Sequence, residues 1–223
     1  MGFERSLSLH CFSRLLCLLT LGAAMSSPAQ AARLDVVLTD QEGEPVDDAV
    51  VYIVSVDGAV PASQPAEVLV DQIDEAFVPH VRATTTGSRV SFPNSDHIRH
   101  HVYSFSEAHT FELPLYIGLP AEPVVFDTAG VVTLGCNIHD HMLGYILVLD
   151  TPWFAEVSAG KASIEGLPAG ELQVEVWHPR LANGVATRTL QATDAATATL
   201  SLQLELRPER MLRRAPRRSG SRY

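Results

Sequence analysis

One short segment of this sequence combines three side chains that bind soft metal ions. Cys136, His139 and Met142 supply a thiolate, an imidazole and a thioether within seven consecutive residues. A second imidazole is offered upstream by three histidines, His97, His100 and His101. Two His, one Cys and a weak axial Met form the trigonal copper site used for electron transfer. The residue types and their spacing therefore predict a copper centre.

The N-terminus has the pattern of an export signal. Arg5 and Arg14 mark a basic region, residues 15–25 are mostly apolar, and small residues precede Ala32. This pattern predicts a signal peptide over residues 1–31, cleaved near Ala31, and a periplasmic mature protein. The apolar stretch is too short to span a bilayer comfortably, so we expect no transmembrane anchor.

Cleavage would leave Cys136 as the one cysteine of the mature chain, because Cys11 and Cys17 precede the cleavage site. An odd thiol in an oxidising compartment cannot form an internal disulfide and needs an explanation. It is either a metal ligand or an inert buried thiol that behaves as a small hydrophobe. The neighbouring His139 and Met142 favour the metal ligand.

Charge is distributed unevenly along the chain, whose net charge is −10. Residues 32–206 hold only seven basic residues against 24 acidic ones, so we expect no nucleic-acid partner. Residues 207–223 hold seven arginines and a single acidic residue. This tail is interpreted as a flexible basic extension, either plainly solvated or in weak contact with an anionic surface.

Short segments of strand composition recur along the whole mature chain. They are bounded by Gly, Pro, Asn or Asp, and no helical periodicity stands out after the signal peptide. The predicted strands cover residues 34–40, 49–56, 88–92, 101–105, 111–116, 130–134 and 144–149. The pattern predicts an all-β protein.

The two ends of the mature chain share the turns of one kind of module. Gly43-Glu44-Pro45, Ala49-Val50-Val51 and the turn from Gly166 to Gly170 resemble the carboxypeptidase regulatory-like family, a small transthyretin-like β-sandwich. The resemblance implies that residues 32–57 and 157–206 form one smaller sandwich, which the metal domain interrupts. A sandwich merely appended at the C-terminus is the alternative.

The middle of the chain, residues 66–150, resembles the cupredoxins, the blue-copper family that includes plastocyanin, pseudoazurin and amicyanin. Cys136, His139 and Met142 have the amicyanin spacing Cys-x2-His-x2-Met, and residues 87–94 match the strand that leads to the family's first histidine. That histidine falls six positions after Asn94, at His100. The resemblance implies a Greek-key β-sandwich with one type 1 copper ion on these four residues, serving redox protein partners.

Other histidines compete with this assignment. His101 follows His100, so its side chain in a strand points to the opposite face, and it stands where the family usually has Asn. His141 is the alternative to Met142 as the fourth ligand. The remaining histidines are interpreted as solvated, capping or structural residues: His80, His97, His109 and His178.

The leading interpretation is an electron carrier that exchanges electrons at the His139 side, where Ile138, Leu143 and Pro114 form an apolar rim. The alternative is a copper-binding or delivery protein, or a binding module whose copper site is structural. We expect no enzyme, because the sequence shows no second His/Cys cluster of the kind that a multicopper oxidase or nitrite reductase needs. Zinc is disfavoured because structural zinc sites take more Cys or His and no thioether.

Overall fold

The computed structural model describes residues 32–60, 62–120, 122–193 and 196–208. Within these ranges all regular structure is β, as the sequence predicts, and no helix is long and apolar enough to cross a membrane. The predicted signal peptide and nearly all of the basic tail lie outside the described residues. The strands are β1 Ala32–Thr39, β2 Val50–Val56, β3 Glu67–Leu69, β4 Asp71–Ile73, β5 Ala76–Val78, β6 Val81–Thr85, β7 Ser88–Ser91, β8 His100–Ser106, β9 His109–Tyr116, β10 Val124–Phe126, β11 Gly130–Cys136, β12 His139–Leu149, β13 Phe154–Glu156, β14 Lys161–Leu167, β15 Gly170–Trp177, β16 Val185–Ala192 and β17 Thr197–Gln203.

Strands from the two ends of the chain form a sandwich of two sheets. One sheet has the order β14-β1-β17 and the other the order β13-β2-β15-β16. Alternate residues of β1 and β15 are apolar and buried, as expected of strands that cover a core with one face. Leu34, Ile53, Leu167 and Leu172 are among the fully buried side chains of that core.

The strands between them, β3 to β12, surround a second core. Its large sheet has the order β6-β12-β11-β8-β9, faced by the small sheet β10-β7-β3 and the pair β4-β5. Three aromatic side chains, Phe77, Phe92 and Phe126, fill the centre together with aliphatic residues of β11 and β12. Cys136 and Met142 belong to this same core, so the two sulfur side chains are held in a packed apolar environment.

The two sandwiches touch through a third apolar cluster. Val50 and Trp177 of the first pack against Val81, Leu147 and Leu149 of the second, and all five are buried. The first sandwich therefore covers the outer face of β12. Without this contact, Leu147 and Leu149 on that face would be exposed to water.

An ion pair closes the edge of this contact. Arg82 Nη1 lies 3.2 Å from the Glu156 carboxylate, and the backbone N–H of Ala83 donates to Glu156 Oε1 at 2.8 Å. Since β6 is an edge strand of the large sheet, Glu156 satisfies a backbone donor that the sheet leaves unpaired.

The segment that carries Cys136 and Met142 is a tight hairpin. The sequence predicts Cys136, His139 and Met142 on one loop between strands, whereas β11 ends at Cys136 and β12 already begins at His139. The register between the two strands shifts between Gly135 and Cys136, where Cys136 pairs with His139. This irregularity lets the thiol and the imidazole, three residues apart, point to the same side.

Candidate metal centre

Three of the four predicted ligands converge on one point. His100 Nδ1 lies 3.1 Å from His139 Nδ1, and Cys136 Sγ lies 3.8 Å from the first nitrogen and 3.7 Å from the second. Within the described ranges this is the one group of three or more His, Cys, Asp or Glu side chains whose ligand atoms cluster in this way. The cluster joins the end of the β11–β12 hairpin to the first residue of β8.

These separations fit a metal ion. Bonds of about 2.0 Å to nitrogen and about 2.3 Å to sulfur, set about 120° apart, would place the nitrogens roughly 3.5 Å from each other and roughly 3.7 Å from the sulfur. The observed distances of 3.1, 3.7 and 3.8 Å are close to these values. The donor set, one soft thiolate and two imidazoles, suits copper.

Strand pairing brings His100 to the hairpin across 36 residues of sequence. β8 lies between β11 and β9 in the large sheet, and Tyr103 of β8 pairs with Gly135 of β11. A Cβ on Gly135 would stand 2.7 Å from the Tyr103 ring, so glycine lets that ring lie close against the strand directly before Cys136.

A carboxylate holds His100 from its other side. His100 Nε2 lies 2.9 Å from Asp96 Oδ2, and because an ionised carboxylate can only accept, Nε2 carries the proton. Nδ1 is then left with its lone pair directed at Cys136 and His139. A carboxylate that orients a metal-binding imidazole in this way is a common feature of metal sites.

The electrostatics of this pair favour the charged carboxylate. Burial acts to raise the pKa of Asp96, but hydrogen bonds from His100 and from the backbone N–H groups of Glu75 and His97 outweigh it and lower the pKa to about 2. Asp96 therefore remains an acceptor at any physiological pH.

The two imidazoles differ in exposure. The side chain of His100 is fully buried, whereas His139 is half-buried at the end of the molecule. Burial, followed by the electrostatic effect of the neighbouring His100 imidazole, lowers the pKa of His139. A lowered pKa keeps the imidazole in the neutral form that can bind a metal.

The alternation of β12 turns Met142 into the core that also contains Cys136. It is 1% exposed and packs in the same core cluster as Cys136, while its neighbours His141 and Leu143 are half-buried. The sequence predicts the thioether of Met142 as the weak axial ligand. Its role as a ligand stays a prediction.

The competing histidines have partners elsewhere. His101 lies on the opposite face of β8, with Nε2 2.8 Å from Glu112 Oε1 and its ring against Tyr103. His141 Nε2 lies 3.2 Å from Glu75 Oε2, and its ring centroid is 5.9 Å from that of His139. Neither residue belongs to the cluster of converging ligand atoms in the described ranges.

The remaining histidines lie in other surroundings. The His80 ring contacts Tyr145, and the His109 ring contacts Phe126. His97 is exposed beside Asp96, whose carboxylate accepts its backbone N–H at 2.8 Å. His178 is buried in the first sandwich, where its Nδ1 accepts the backbone N–H of Arg180 at 3.0 Å.

The sequence alone does not indicate the polar residues that hold His100 and the turn before it. Asp96 stands out in the sequence only as one of several acids near turns, yet it contacts His100 directly. Its position four residues before His100 is the one local signal that could have indicated this contact. Gln72 and Tyr116 also support the turn that holds Asp96, and nothing local in the sequence marks them.

Known protein-family models and curated protein sequences contain no match to this chain. Several solved structures are similar to part of it. A purple cupredoxin from Nitrosopumilus maritimus is 18% identical with a TM-score of 0.33, and the match covers 37% of this chain and 99% of that one. A reduced point mutant of amicyanin is 21% identical with a TM-score of 0.35, over 46% of this chain and 100% of that one.

A copper-containing nitrite reductase (NirK) from Thermus scotoductus SA-01 is 23% identical with a TM-score of 0.35. That match covers 51% of this chain but only 28% of the reductase. All these TM-scores are below 0.5. The chemistry of the site is therefore inferred from the geometry of His100, Cys136 and His139 and not from these structures.

Proposed function

We propose that this protein is a type 1 copper protein of the cupredoxin kind that carries single electrons between redox protein partners. One copper ion would be held by His100, Cys136 and His139, with Met142 as the axial ligand. The observation that carries the proposal is the convergence of Cys136 Sγ and two imidazole nitrogens within 3.8 Å of one another. When bound, copper supplies a one-electron couple between Cu(I) and Cu(II).

The surroundings of the site favour a carrier over an enzyme. His100, Cys136 and Met142 are at most 2% exposed, and the four donors together would leave no open position for a substrate. All four donor residues lie in strands, so the donor positions would change little when the charge of the site changes.

The exposed end of the site offers a surface for electron exchange. His139 is half-buried there, and its neighbour Ile138 in the hairpin turn is 50% exposed. Leu143 is half-buried and Pro114 is exposed. We propose that redox partners approach this end, since apolar surface near the site allows close contact without a strong charge requirement.

A second candidate function is copper binding or delivery. His141, which pairs with Glu75, lies beside His139 at the same end of the molecule, and its imidazole could take up a copper ion in transit. A delivery protein would release Cu(I) to a chelator or partner, whereas a carrier keeps it through repeated cycles.

We further propose the compartment and the domain organisation. Cleavage near Ala31 would export a mature chain to the periplasm. Residues 32–57 and 157–206 would form an interrupted transthyretin-like module around a cupredoxin domain of residues 66–150. The pairing of β2 with β15 supports this division, because it joins the two ends of the chain in one sheet.

The absorption spectrum of the mature chain, residues 32–223, loaded with Cu(II) tests the function. We expect an intense blue band from the thiolate–copper bond that bleaches with ascorbate and returns with ferricyanide. A Cu(I) chelator added to the reduced protein should remove little metal. The Cys136→Ser variant is the control and should bind copper without the blue band.

A colourless product, or a colour that survives in Cys136→Ser, would contradict the ligand assignment. Bleaching that cannot be reversed, with Cu(I) passing to the chelator, would instead favour copper delivery.

A further inference from the structure

The amide of Gln72 is buried behind the metal cluster and keeps one polar atom without a hydrogen-bond partner in the described part of the chain. Gln72 of β4 is 0% exposed, and its Nε2 donates to the carbonyl of Pro93 at 3.0 Å and to the hydroxyl of Tyr116. Its Oε1 is buried and accepts no hydrogen bond from the described residues. An unpaired buried carbonyl costs folding free energy, so an apolar residue would suit this core better.

Gln72 is joined to the turn that precedes His100. Its backbone N–H donates to the Pro93 carbonyl at 3.1 Å, and its carbonyl accepts the N–H of Ser95, also at 3.1 Å. The hydroxyl of Ser95 donates to the neighbouring Asp71 at 2.8 Å. Together with the Gln72 side chain, these contacts hold residues 93–95 against β4.

Asn94 transmits this constraint to Asp96. Its Oδ1 accepts the backbone N–H of Asp96 at 3.0 Å, while its Nδ2 donates to the carbonyls of Ile98 and Tyr116 at 3.0 and 2.8 Å. Asn94 is 3% exposed, so little water competes for these bonds. The turn is therefore closed on itself, with the Asp96 carboxylate directed at His100.

Tyr116 connects the same turn to the strand that carries His100. Its backbone pairs with His100 in the β8–β9 ladder, and its hydroxyl donates to the Phe92 carbonyl at 2.6 Å. The ring packs against the core cluster that contains Cys136 and Met142. The Gln72–Tyr116 contact thus joins the strand partner of His100 to the turn that carries its carboxylate partner.

We propose that Gln72 and Tyr116 are positioning residues for the metal centre. Their contact fixes the turn of residues 93–99, so that Asp96 holds His100 with Nδ1 facing Cys136 and His139. The part that concerns copper rests on the proposed electron-transfer function, while the positioning of His100 does not. The unpaired Oε1 of Gln72 is then tolerated, because Nε2 of the same amide supplies the two hydrogen bonds that hold the turn.

The test compares two tyrosines that each lose one hydroxyl. Tyr116→Phe removes both the Gln72 contact and the hydrogen bond to the Phe92 carbonyl. Tyr52→Phe removes a hydrogen bond to Glu175 in the other sandwich, 2.6 Å long in the native protein. The ring stays in both variants, so both should fold, each with a small loss in melting temperature. Gln72→Leu is the third variant.

The first readout uses the metal-free protein. We expect the His100 Nε2–H, observed by nitrogen-15 NMR, to exchange with solvent at least about fivefold faster in Tyr116→Phe and Gln72→Leu. It should be unchanged in Tyr52→Phe. If Gln72→Leu does not fold, Tyr116→Phe decides the question alone.

The second readout uses the copper-loaded protein. We expect the ratio of Cu(II) to Cu(I) dissociation constants, obtained from the reduction potential, to change about threefold in Tyr116→Phe and to stay constant in Tyr52→Phe. Equal exchange rates and potentials in the two variants, with equal losses in melting temperature, would overturn the proposal. Failure of the native chain to bind copper would overturn the proposed function instead, and the metal-free exchange rates would still decide the positioning role.

Discussion

Asp96 and His100 lie four residues apart in sequence, and their side chains meet with Nε2 2.9 Å from Oδ2. The side chain of His100 is 0% accessible to solvent, and that of Asp96 is 11% accessible. The carboxylate therefore acts on the imidazole in a weakly screened environment. The negative charge of Asp96 raises the electron density that His100 offers at Nδ1.

Asp96→Asn tests this relationship. The amide can still accept the Nε2–H, but the negative charge is lost, so we expect Cu(II) affinity to fall by about 10- to 100-fold and the reduction potential to rise. Asp140→Asn removes the same charge from an exposed position of the β11–β12 hairpin and serves as the control. Equal effects of the two substitutions on affinity and potential, measured by titration and voltammetry, would contradict a direct role of Asp96.

Met142→Leu tests the axial ligand. Leu has a similar volume, so the metal-free protein should lose less than about 1.5 kcal/mol of unfolding free energy. Without the thioether, we expect copper to stay bound with an intense blue band and a higher reduction potential. His141→Gln is the matched variant, and a larger shift in His141→Gln than in Met142→Leu would assign the axial position to His141.

Glu156 tests the contact between the two sandwiches. Glu156→Ala removes both the Arg82 ion pair and the acceptor for the Ala83 N–H, so we expect a loss of about 1.5–3 kcal/mol of unfolding free energy. Glu156→Gln keeps an acceptor and should cost less. Glu165→Ala breaks an exposed pair with Arg33 and should cost no more than about 1 kcal/mol in the same denaturant titration. Similar losses for Glu156→Ala and Glu165→Ala would show that Glu156 does not stabilise the contact.

His178 makes stability depend on pH. Burial, and then the charges of Arg180 and His80, lower its pKa to about 4. Between pH 6.5 and 4 the unfolded chain binds a proton that the folded chain does not, so stability falls as pH falls through this range. The loss of unfolding free energy from this group approaches roughly 3 kcal/mol at about pH 4.

His178→Asn is the variant for this prediction, because its side-chain oxygen can accept the Arg180 N–H that Nδ1 accepts now. Urea unfolding at several pH values should give a shallower decline for the variant between pH 6.5 and 4. Parallel curves for the two proteins would show that other groups cause the acid sensitivity.

Local sequence determined several features of this protein. Short apolar segments bounded by Gly, Pro, Asn and Asp predict the all-β architecture, because side-chain alternation and turn chemistry act over a few residues. The spacing of Cys136, His139 and Met142 likewise predicts a soft-metal hairpin, since all three lie within seven residues. The short strands β3 to β6 are not predicted from the sequence, because segments of three to five residues carry little periodicity.

Only the tertiary structure decided which residues meet the hairpin. The sequence offers His97, His100 and His101 within five residues, and the pairing of β8 with β11 brings the His100 side chain to Cys136 while His101 turns to Glu112. The partners of that imidazole come from further apart still, from Asp96 in a turn to Gln72 on another strand. Such contacts depend on sheet order and register, which are set by the burial of whole faces rather than by any local pattern.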